Sequence, residues 1–237
     1  MAIRATWCLV TLLGLATSAT AQGCRLALVL ALDVSSSVDV HEDRLQRGGL
    51  AQALVAPEVR RAFLTGDPVA LYAFEWSDET TQSSLLPSWQ MVRSEDDLTR
   101  IALTIATSRR PGSSRQTALG SALAHAAGAL EAAPACRAWT VDVAGDGISN
   151  NGPSPRAIYE AVPLFETVTV NALIIVTPRT RQALVSWFEA EMLHGSGAFW
   201  IEADGYEDYE RAMRAKLLRE LSLPMVSGLP PTGYDGP

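Results

Sequence analysis

The sequence predicts a single α/β domain, built as a three-layer, doubly wound and mainly parallel sheet with helices on both faces. Two observations support this fold class. Residues 26–32 form an uninterrupted apolar run of strand length, which is typical of a parallel strand buried on both faces. Strand-like and helix-like segments then alternate along the chain, and this alternation favours parallel strands joined by helices. One edge strand is expected to be antiparallel.

The predicted strands are apolar or β-branched segments bounded by turn residues. One of them, residues 83–92, contains Pro87, which cannot donate a backbone hydrogen bond to a neighbouring strand. We therefore assign this segment to the edge of the sheet. In chain order, the predicted strands comprise residues 26–32, 69–76, 83–92, 138–144, 168–176 and 198–201.

The predicted helices begin at capping signals or keep helical spacing of apolar residues. Ser94 and Asp97 form a pair like a capping box, and Ser154 followed by Pro155 marks another start. Gly48 and Gly49 inside the first helix each cost about 1 kcal/mol relative to Ala, which indicates close packing against a neighbour. In chain order, the predicted helices comprise residues 39–56, 94–107, 118–132, 155–165, 179–193 and 206–221.

The first 21 residues have the features of a secretory signal peptide. Arg4 gives a basic start, residues 5–16 are apolar, and Ala19-Thr20-Ala21 provides a cleavage site of small residues. The apolar stretch is too short to span a bilayer; the alternative is a short N-terminal anchor that is never cleaved. We expect an exported protein, periplasmic or secreted, with its domain at residues 22–221 and a flexible Pro/Gly-rich tail at 222–237.

The charge of the chain argues against one class of partner. Residues 1–21 contain one basic and no acidic side chain, so their loss changes the net charge from −7 to −8. Nucleic-acid binding depends on a basic face, and nucleic acid is therefore not an expected partner. Because no later apolar run reaches membrane-spanning length, the mature chain is expected to contain no transmembrane helix.

A pattern of oxygen-bearing side chains follows the first predicted strand. Asp33, Ser35 and Ser37 occupy alternate positions, and alternate side chains of an extended segment point the same way. Such oxygens suit a hard cation such as Mg²⁺. The five-residue segment 33–37 is a weak signal by itself, because Asp and Ser also cap the helix that follows a loop.

Two further residues are predicted at the same edge of the sheet. Thr117 follows a loop rich in Gly, Ser and Arg and precedes an apolar helix, and Asp146 lies where another strand meets a Gly/Asn-rich loop. Open α/β sheets bind their ligands at the carboxyl ends of the strands. We therefore predict that Thr117 and Asp146 converge on the first loop.

The order DxSxS, Thr and Asp-Gly resembles the metal-ion-dependent adhesion site (MIDAS) of von Willebrand factor type A (vWA) domains, and the resemblance extends from about residue 24 to about 221. More narrowly, residues 30–39, Leu45-Gln46-Arg47 and residues 142–147 resemble an uncharacterised bacterial family of exported vWA-like proteins, DUF1194. The sequence departs from the common pattern in two places: Gly145 precedes Asp146 where many relatives have Thr, and Arg115-Gln116 precede Thr117 where Gly is common.

The resemblance implies a divalent-cation site. Mg²⁺ is the expected ion, with Mn²⁺ or Ca²⁺ as alternatives, and the last coordination position is left to water or to a carboxylate of the partner. The implied ligands are Asp33, Ser35, Ser37, Thr117 and Asp146. Arg115, Asn150 and Asn151 are further candidates for the rim of the site, where they could touch a bound partner.

The resemblance also bears on the two cysteines that remain after removal of the leader. Two thiols in an oxidising compartment indicate one disulfide, and vWA domains place the strands that begin at Cys24 and Cys136 side by side. A bond between them would close a loop of over a hundred residues and stabilise the fold by up to about 4–5 kcal/mol. The alternative is two unpaired buried thiols.

Catalytic patterns are weak in this sequence. The three His residues are isolated, and neither a Gly-x-Ser-x-Gly segment nor a phosphate-binding GxxxxGK[ST] segment is present. Asp142, on a strand of buried type, is interpreted as structural and requires a polar partner.

These observations predict an exported vWA-like binding module that uses a divalent cation to bind an Asp or Glu carboxylate of a protein partner, and not an enzyme. Two alternatives stay open: a metal-free interaction scaffold, and a hydrolase in which a Mg²⁺-activated water attacks a phosphoester.

Overall fold

A seven-stranded sheet forms the centre of the fold in the computed structural model, which describes residues 23–110, 112 and 114–222. The strands are β1 (Cys24–Asp33), β2 (Val69–Trp76), β3 (Gln82–Ser84), β4 (Gln90–Val92), β5 (Cys136–Gly145), β6 (Val168–Val176) and β7 (Trp200–Asp204). Their order is β3-β2-β1-β5-β6-β7, with β4 also paired to β2. β3 and β4 run antiparallel to β2, and the other pairs are parallel.

In the described part of the chain, seven α-helices cover the two faces of this sheet. They are α1 (Val40–Val55), α2 (Pro57–Leu64), α3 (Glu95–Thr107), α4 (Leu119–Glu131), α5 (Pro155–Ala161), α6 (Arg181–Trp187) and α7 (Tyr209–Ser222). One apolar core joins the sheet to α1, α2, α3 and α7, and a second core joins it to α4, α5 and α6. The predicted three-layer, mainly parallel α/β class is confirmed.

The central strand β1 shows why its sequence is apolar throughout. All ten of its residues are buried. Leu26, Leu28, Leu30 and Leu32 belong to one core, while Ala27, Val29 and Ala31 belong to the other. Because successive side chains point to opposite faces and both faces are covered, no polar alternation is possible.

Two regions differ from the prediction. The expected edge strand 83–92 is split into β3 and β4, because the chain around Pro87 leaves the hydrogen-bonded ladder. Helix α2 was not predicted: no element was assigned to residues 57–64. Pro57 stands at the first turn of this helix, where Pro is tolerated, and Val59 and Phe63 bury one face of it.

The later elements have different ends from those predicted. The expected helix at 155–165 is α5 followed by a 3₁₀ turn (Pro163–Glu166), since Pro163 cannot donate within a continuing helix. The expected helix at 179–193 is α6 followed by a π turn (Phe188–Met192). The last predicted helix begins as a 3₁₀ turn (Tyr206–Asp208), and the short strand expected at 198–201 lies at Trp200–Asp204.

The Gly pair in α1 has the expected packing role at one of its positions. A Cβ added to Gly49 would lie 3.0 Å from Cδ1 of Tyr209 and 3.1 Å from the backbone nitrogen of Glu210, both in α7. At Gly48 the nearest atom is the Gln52 side chain, at 4.0 Å. Gly49 therefore allows α1 and α7 to approach closely, whereas Gly48 is not needed for that contact.

Cys24 and Cys136 form a disulfide, as expected from the adjacency of their strands. The two residues are partners in the β1–β5 register, so the bond links the beginnings of two neighbouring parallel strands. Among the helices of the described residues, none is long and apolar enough to cross a membrane. The predicted signal peptide (1–21) and residues 223–237 of the predicted tail lie outside the described residues.

Candidate metal centre

The first loop after β1 presents a chain of oxygen contacts that reaches the loop after β5. Asp33 ends β1, and its Oδ1 accepts a hydrogen bond from the backbone N–H of Ser35 at 2.7 Å. The hydroxyl oxygens of Ser35 and Ser37 are 3.0 Å apart, and Ser37 donates to Oδ1 of Asp146 at 2.7 Å. The structure therefore gathers four of the five predicted ligands at the carboxyl ends of two adjacent strands.

Thr117 lies in a second loop that is bonded to the third. Its backbone N–H donates to Oδ1 of Asn150 at 2.8 Å, and the Asn150 N–H donates back to the Thr117 carbonyl at 2.9 Å. The Thr117 hydroxyl oxygen is 3.8 Å from the position that a Cβ on Gly147 would occupy. Thr117 therefore lies beside the Asp146 loop. A metal-ligating role for these five residues stays a prediction.

A close approach at Gly120 positions these two loops. A Cβ on Gly120 would be 2.1 Å from the carbonyl oxygen of Pro153, a distance that no side chain could tolerate without a shift of the backbone. Gly120 is in the first turn of α4, three residues after Thr117, and Pro153 is three residues after Asn150 in the third loop. The absence of a side chain at position 120 therefore lets the third loop rest on the start of α4.

The two carboxylates are held in an environment that disfavours their charge. Burial raises the pKa of Asp33 to about 7, and the neighbouring Asp146 adds to this effect, while Ser35 and Arg110 act in the opposite direction. Burial also raises the pKa of Asp146, against the hydroxyls of Ser37 and Tyr206. A cation between the two carboxylates would offset both the burial and the mutual repulsion.

The residues fit a divalent cation. Oδ2 of Asp33 is buried and has no hydrogen-bond partner among the described residues, although buried polar atoms are normally paired. The cluster oxygens lie within 2.7–3.0 Å of one another through hydrogen bonds, and carboxylate and hydroxyl oxygens are the donor type that a hard cation such as Mg²⁺ takes. An added Cβ at Gly145 would lie 3.4 Å from Oδ2 of Asp33, so the residue next to Asp146 packs directly beside the Asp33 carboxylate.

Such an ion would depend on hydroxyl ligands as well as carboxylates. In the part of the chain that the structure describes, no three His, Cys, Asp or Glu side chains gather into a metal-binding group. The cluster offers two carboxylates, and its remaining donors are the neutral hydroxyls of Ser35, Ser37 and Thr117.

The three rim candidates are not equivalent. Asn150 uses its side-chain oxygen to hold Thr117, and Asn151 exchanges hydrogen bonds with Glu79, donating from Nδ2 to Oε1 at 3.0 Å and accepting from the Glu79 N–H at 3.2 Å. Both amides thus have structural bonds within the loops. Arg115 is exposed and remains the candidate for contact with a partner.

Sequence reasoning missed two buried residues of α1, one that supports the first loop and one that ties the helix to β2. Nε2 of Gln46 donates to the Asp33 carbonyl at 2.9 Å, and Arg47 forms buried ion pairs with Asp43 at 3.1 Å and with Glu75 on β2 at 2.7 Å. Their signal was present in the Leu45-Gln46-Arg47 segment that carries the family resemblance. Their roles could not be assigned, because each depends on the approach of α1 to the strand ends.

A second buried ionic group lies away from the metal loop, between β5 and α7. Asp142 is 2.7 Å from Nζ of Lys216, which is also 2.9 Å from Glu220. Asn171 on β6 donates to Glu220 at 2.8 Å. Lys216 is the partner that Asp142 was expected to need, and the group attaches the last helix to the sheet.

The fold is similar to that of three solved structures. A von Willebrand factor type A protein from Catenulispora acidiphila is 14% identical, with a TM-score of 0.52, covering 84% of this chain and 43% of that one. Proximal thread matrix protein 1 from the mussel byssus, with a zinc-occupied MIDAS motif, is 17% identical, with a TM-score of 0.52, covering 84% and 48%. Manganese-loaded TRAP protein from Plasmodium vivax is 14% identical, with a TM-score of 0.52, covering 83% and 73%.

The chain thus spans less than half of the first two solved chains, and at these identities the likeness establishes the fold. No curated protein matches the sequence. The family model described as "Protein of unknown function (DUF1194)" matches residues 23–225, which is most of the chain. The chain belongs to the DUF1194 family, and its fold is that of a vWA domain.

Proposed function

We propose that this protein is an exported binding module that holds a divalent cation at the carboxyl edge of its sheet and uses that cation to bind an Asp or Glu carboxylate of a protein partner. The observation that carries the proposal is the buried Oδ2 of Asp33, which has no hydrogen-bond partner in the described part of the chain and lies beside Asp146 and two serine hydroxyls. The cation ligands would be Asp33, Ser35, Ser37, Thr117 and Asp146.

The donor set explains why the ion would attract a partner. Two carboxylates balance the formal charge of a divalent cation, but neutral hydroxyls donate little further electron density to it. The ion therefore stays electrophilic and can bind an additional anionic ligand. A carboxylate of a partner would complete the coordination shell with a charge-assisted bond. Because partner and metal would share that shell, the binding of each should strengthen the binding of the other.

Metals in two solved structures of similar fold support the proposal but do not fix which ion this chain would hold. One related structure has zinc in its MIDAS motif and another is loaded with manganese. The all-oxygen donor set of this chain favours Mg²⁺, with Mn²⁺ or Ca²⁺ as alternatives. Exposed Arg115 would add a positive charge beside the metal, which favours an acidic partner surface.

Export is part of the proposal. Its support is the leader-like sequence of residues 1–21 together with the Cys24–Cys136 disulfide, a bond that persists in oxidising compartments. Amino-terminal sequencing of the protein recovered from the envelope or the medium should begin at Gln22. A recovered chain that begins at Met1 would contradict cleavage.

The metal role is tested by calorimetry with Mg²⁺ and Mn²⁺ on wild type, Asp33→Ala and Ser36→Ala. Asp33→Ala should abolish binding, because it removes one of two carboxylates. Ser36 is exposed in the same loop and is not among the predicted ligands, so Ser36→Ala should bind as wild type does. Equal ion affinity in wild type and Asp33→Ala would overturn the metal site.

The partner role requires a separate experiment. Wild type and Asp33→Ala are immobilised and exposed to a native envelope extract, with Mg²⁺ or with a chelator. A partner that is retained by wild type in Mg²⁺, and lost both in chelator and on Asp33→Ala, supports the proposal. A partner that is retained under all conditions would instead favour the metal-free scaffold.

A further inference from the structure

Three backbone carbonyls of the first loop converge on one guanidinium group. Nη2 of Arg110 lies 2.6 Å from the carbonyl oxygen of Val38, 3.2 Å from that of Val34 and 3.3 Å from that of Ser35. The side chain reaches these atoms from more than 70 positions further along the chain, and it is partly buried in doing so.

The contact compensates an unfavourable arrangement of the backbone. Carbonyl oxygens that point at a common place repel one another unless a cation or several donors stand between them. A single Nη2 carries two hydrogens for these three acceptors. The short bond to Val38 therefore takes one hydrogen, and Val34 and Ser35 share the other. The positive charge strengthens all three contacts.

The loop held in this way is the one that presents the hydroxyl ligands. Ser35 and Ser37 lie within the segment 34–38 that Arg110 contacts, and the Val38 N–H donates to the Ser35 carbonyl at 3.1 Å, which closes a tight turn. The Ser36 N–H donates to the Ser114 carbonyl at 2.8 Å, so the segment that carries Arg110 also touches the loop through its backbone.

We propose that Arg110 is a positioning residue for the metal centre: its guanidinium fixes the carbonyls of residues 34, 35 and 38 and so orients the Ser35 and Ser37 hydroxyls toward the ion before it binds. This inference rests on the proposed metal-binding function and names the residue that preorganises the site. Preorganisation matters here because the hydroxyls are weak ligands, and each must be held in place if it is to offset the dehydration of the ion.

A purely electrostatic role for Arg110 predicts the opposite result. A positive charge beside a cation site repels the ion, so neutralising it by Arg110→Gln would then strengthen metal binding, and Arg110→Lys would leave it unchanged. A positioning role predicts weaker binding in both variants, because neither Gln nor Lys can reproduce the planar donor group. The two variants therefore separate geometry from charge.

The test combines Mn²⁺ calorimetry with amide hydrogen exchange in chelator, on wild type, Arg110→Gln, Arg110→Lys and Arg109→Gln. Arg109 is exposed and adjacent, so Arg109→Gln controls for the loss of one charge. Both Arg110 variants should bind Mn²⁺ about tenfold or more weakly, the range seen for residues that orient metal ligands, and Arg109→Gln should stay within about twofold of wild type. The amides of Ser36 and Val38 should exchange faster in the Arg110 variants without metal.

The outcomes distinguish this inference from the function on which it rests. If wild type binds no Mn²⁺, the proposed metal function fails and the positioning role fails with it, whatever the exchange data show. If wild type binds and either Arg110 variant binds equally well or more tightly, the positioning role alone is overturned. Unchanged exchange at Ser36 and Val38 in a folded Arg110→Lys protein would also overturn it.

Discussion

Replacing Asp33 by Asn should make the metal-free protein more stable at pH 8. In the folded chain, burial and the neighbouring Asp146 raise the pKa of Asp33 to about 7, against about 3.9 in an unfolded chain. At 1.36 kcal/mol for each pKa unit, the ionised carboxylate destabilises the fold by about 4 kcal/mol at pH 8. Asn keeps an oxygen that accepts from the Ser35 N–H. Its NH2 group, however, would be a buried donor without a partner, which costs about 1–3 kcal/mol and offsets part of the gain.

The direction of the pH dependence follows from the sign of this shift. Because the folded-state pKa is raised, the folded protein holds its proton to higher pH than the unfolded chain does. The penalty is therefore absent near pH 4, grows as the pH rises toward 7 and is complete above it. The advantage of Asp33→Asn should follow the same course. A net gain of about 1–3 kcal/mol corresponds to a rise in Tm of roughly 2–12 °C at pH 8 for a domain of this size.

The assay is urea and thermal unfolding at pH 8 and pH 4 with the disulfide intact, in chelator and in Mg²⁺. Asp96→Asn, which removes an exposed carboxylate, controls for the change in net charge. Mg²⁺ should stabilise wild type and leave Asp33→Asn unaffected. The difference in unfolding free energy between wild type and Asp33→Asn, measured in chelator, decides the matter. If wild type is more stable than Asp33→Asn at pH 8 by the same margin as at pH 4, Asp33 carries no uncompensated charge and the reasoning is refuted.

Three further predictions concern contacts that hold the fold together. Lys216→Met should lower the free energy of unfolding in urea by about 3–5 kcal/mol, because the two buried carboxylates it contacts lose their cation; a loss below about 1 kcal/mol would contradict this. Gly120→Ala should destabilise the fold and weaken Mn²⁺ binding through the clash with Pro153. Its control, Gly128→Ala, has no described atom within 4 Å of the added Cβ and should stabilise by up to about 1 kcal/mol. Thiol titration of denatured, unreduced protein should find neither Cys24 nor Cys136 free, and two free thiols would rule the bond out.

The order of elements was largely predictable because the sheet is buried on both faces. β1 was recognisable as a continuous apolar run, and α4 by the helical spacing of its apolar residues. Helix α2 was missed because its first residue, Pro57, equally ends a preceding helix. The burial of Val59 and Phe63 four residues apart was the available signal. The π turn after α6 has no sequence signal that we can identify.

The candidate site was predictable to the extent that strand ends define it. Parallel strands place their carboxyl ends together, so Asp33 and Asp146 could be expected to meet once both were assigned to such ends. The supporting contacts could not be predicted in the same way. Gln46 and Arg110 donate to backbone carbonyls. Because every residue has such a carbonyl, the sequence does not indicate which of them a given side chain will bond. Asn150 was placed near the site, but its bond to Thr117 depends on the packing of the third loop on Gly120.

Two buried aspartates on neighbouring strands show why the metal interpretation is favoured over a structural one. Asp142 and Asp33 are both buried, and burial raises the pKa of each. Asp142 is compensated by Lys216 at 2.7 Å, as a structural carboxylate must be. For Asp33, by contrast, the nearby cation Arg110 is used on loop carbonyls, and among the described residues Oδ2 bonds to nothing. Asp142 thus has an internal cation, whereas Oδ2 of Asp33 has no partner among the described residues and lies beside a second carboxylate and two hydroxyls. This contrast favours the proposal that Asp33 binds a cation from solution.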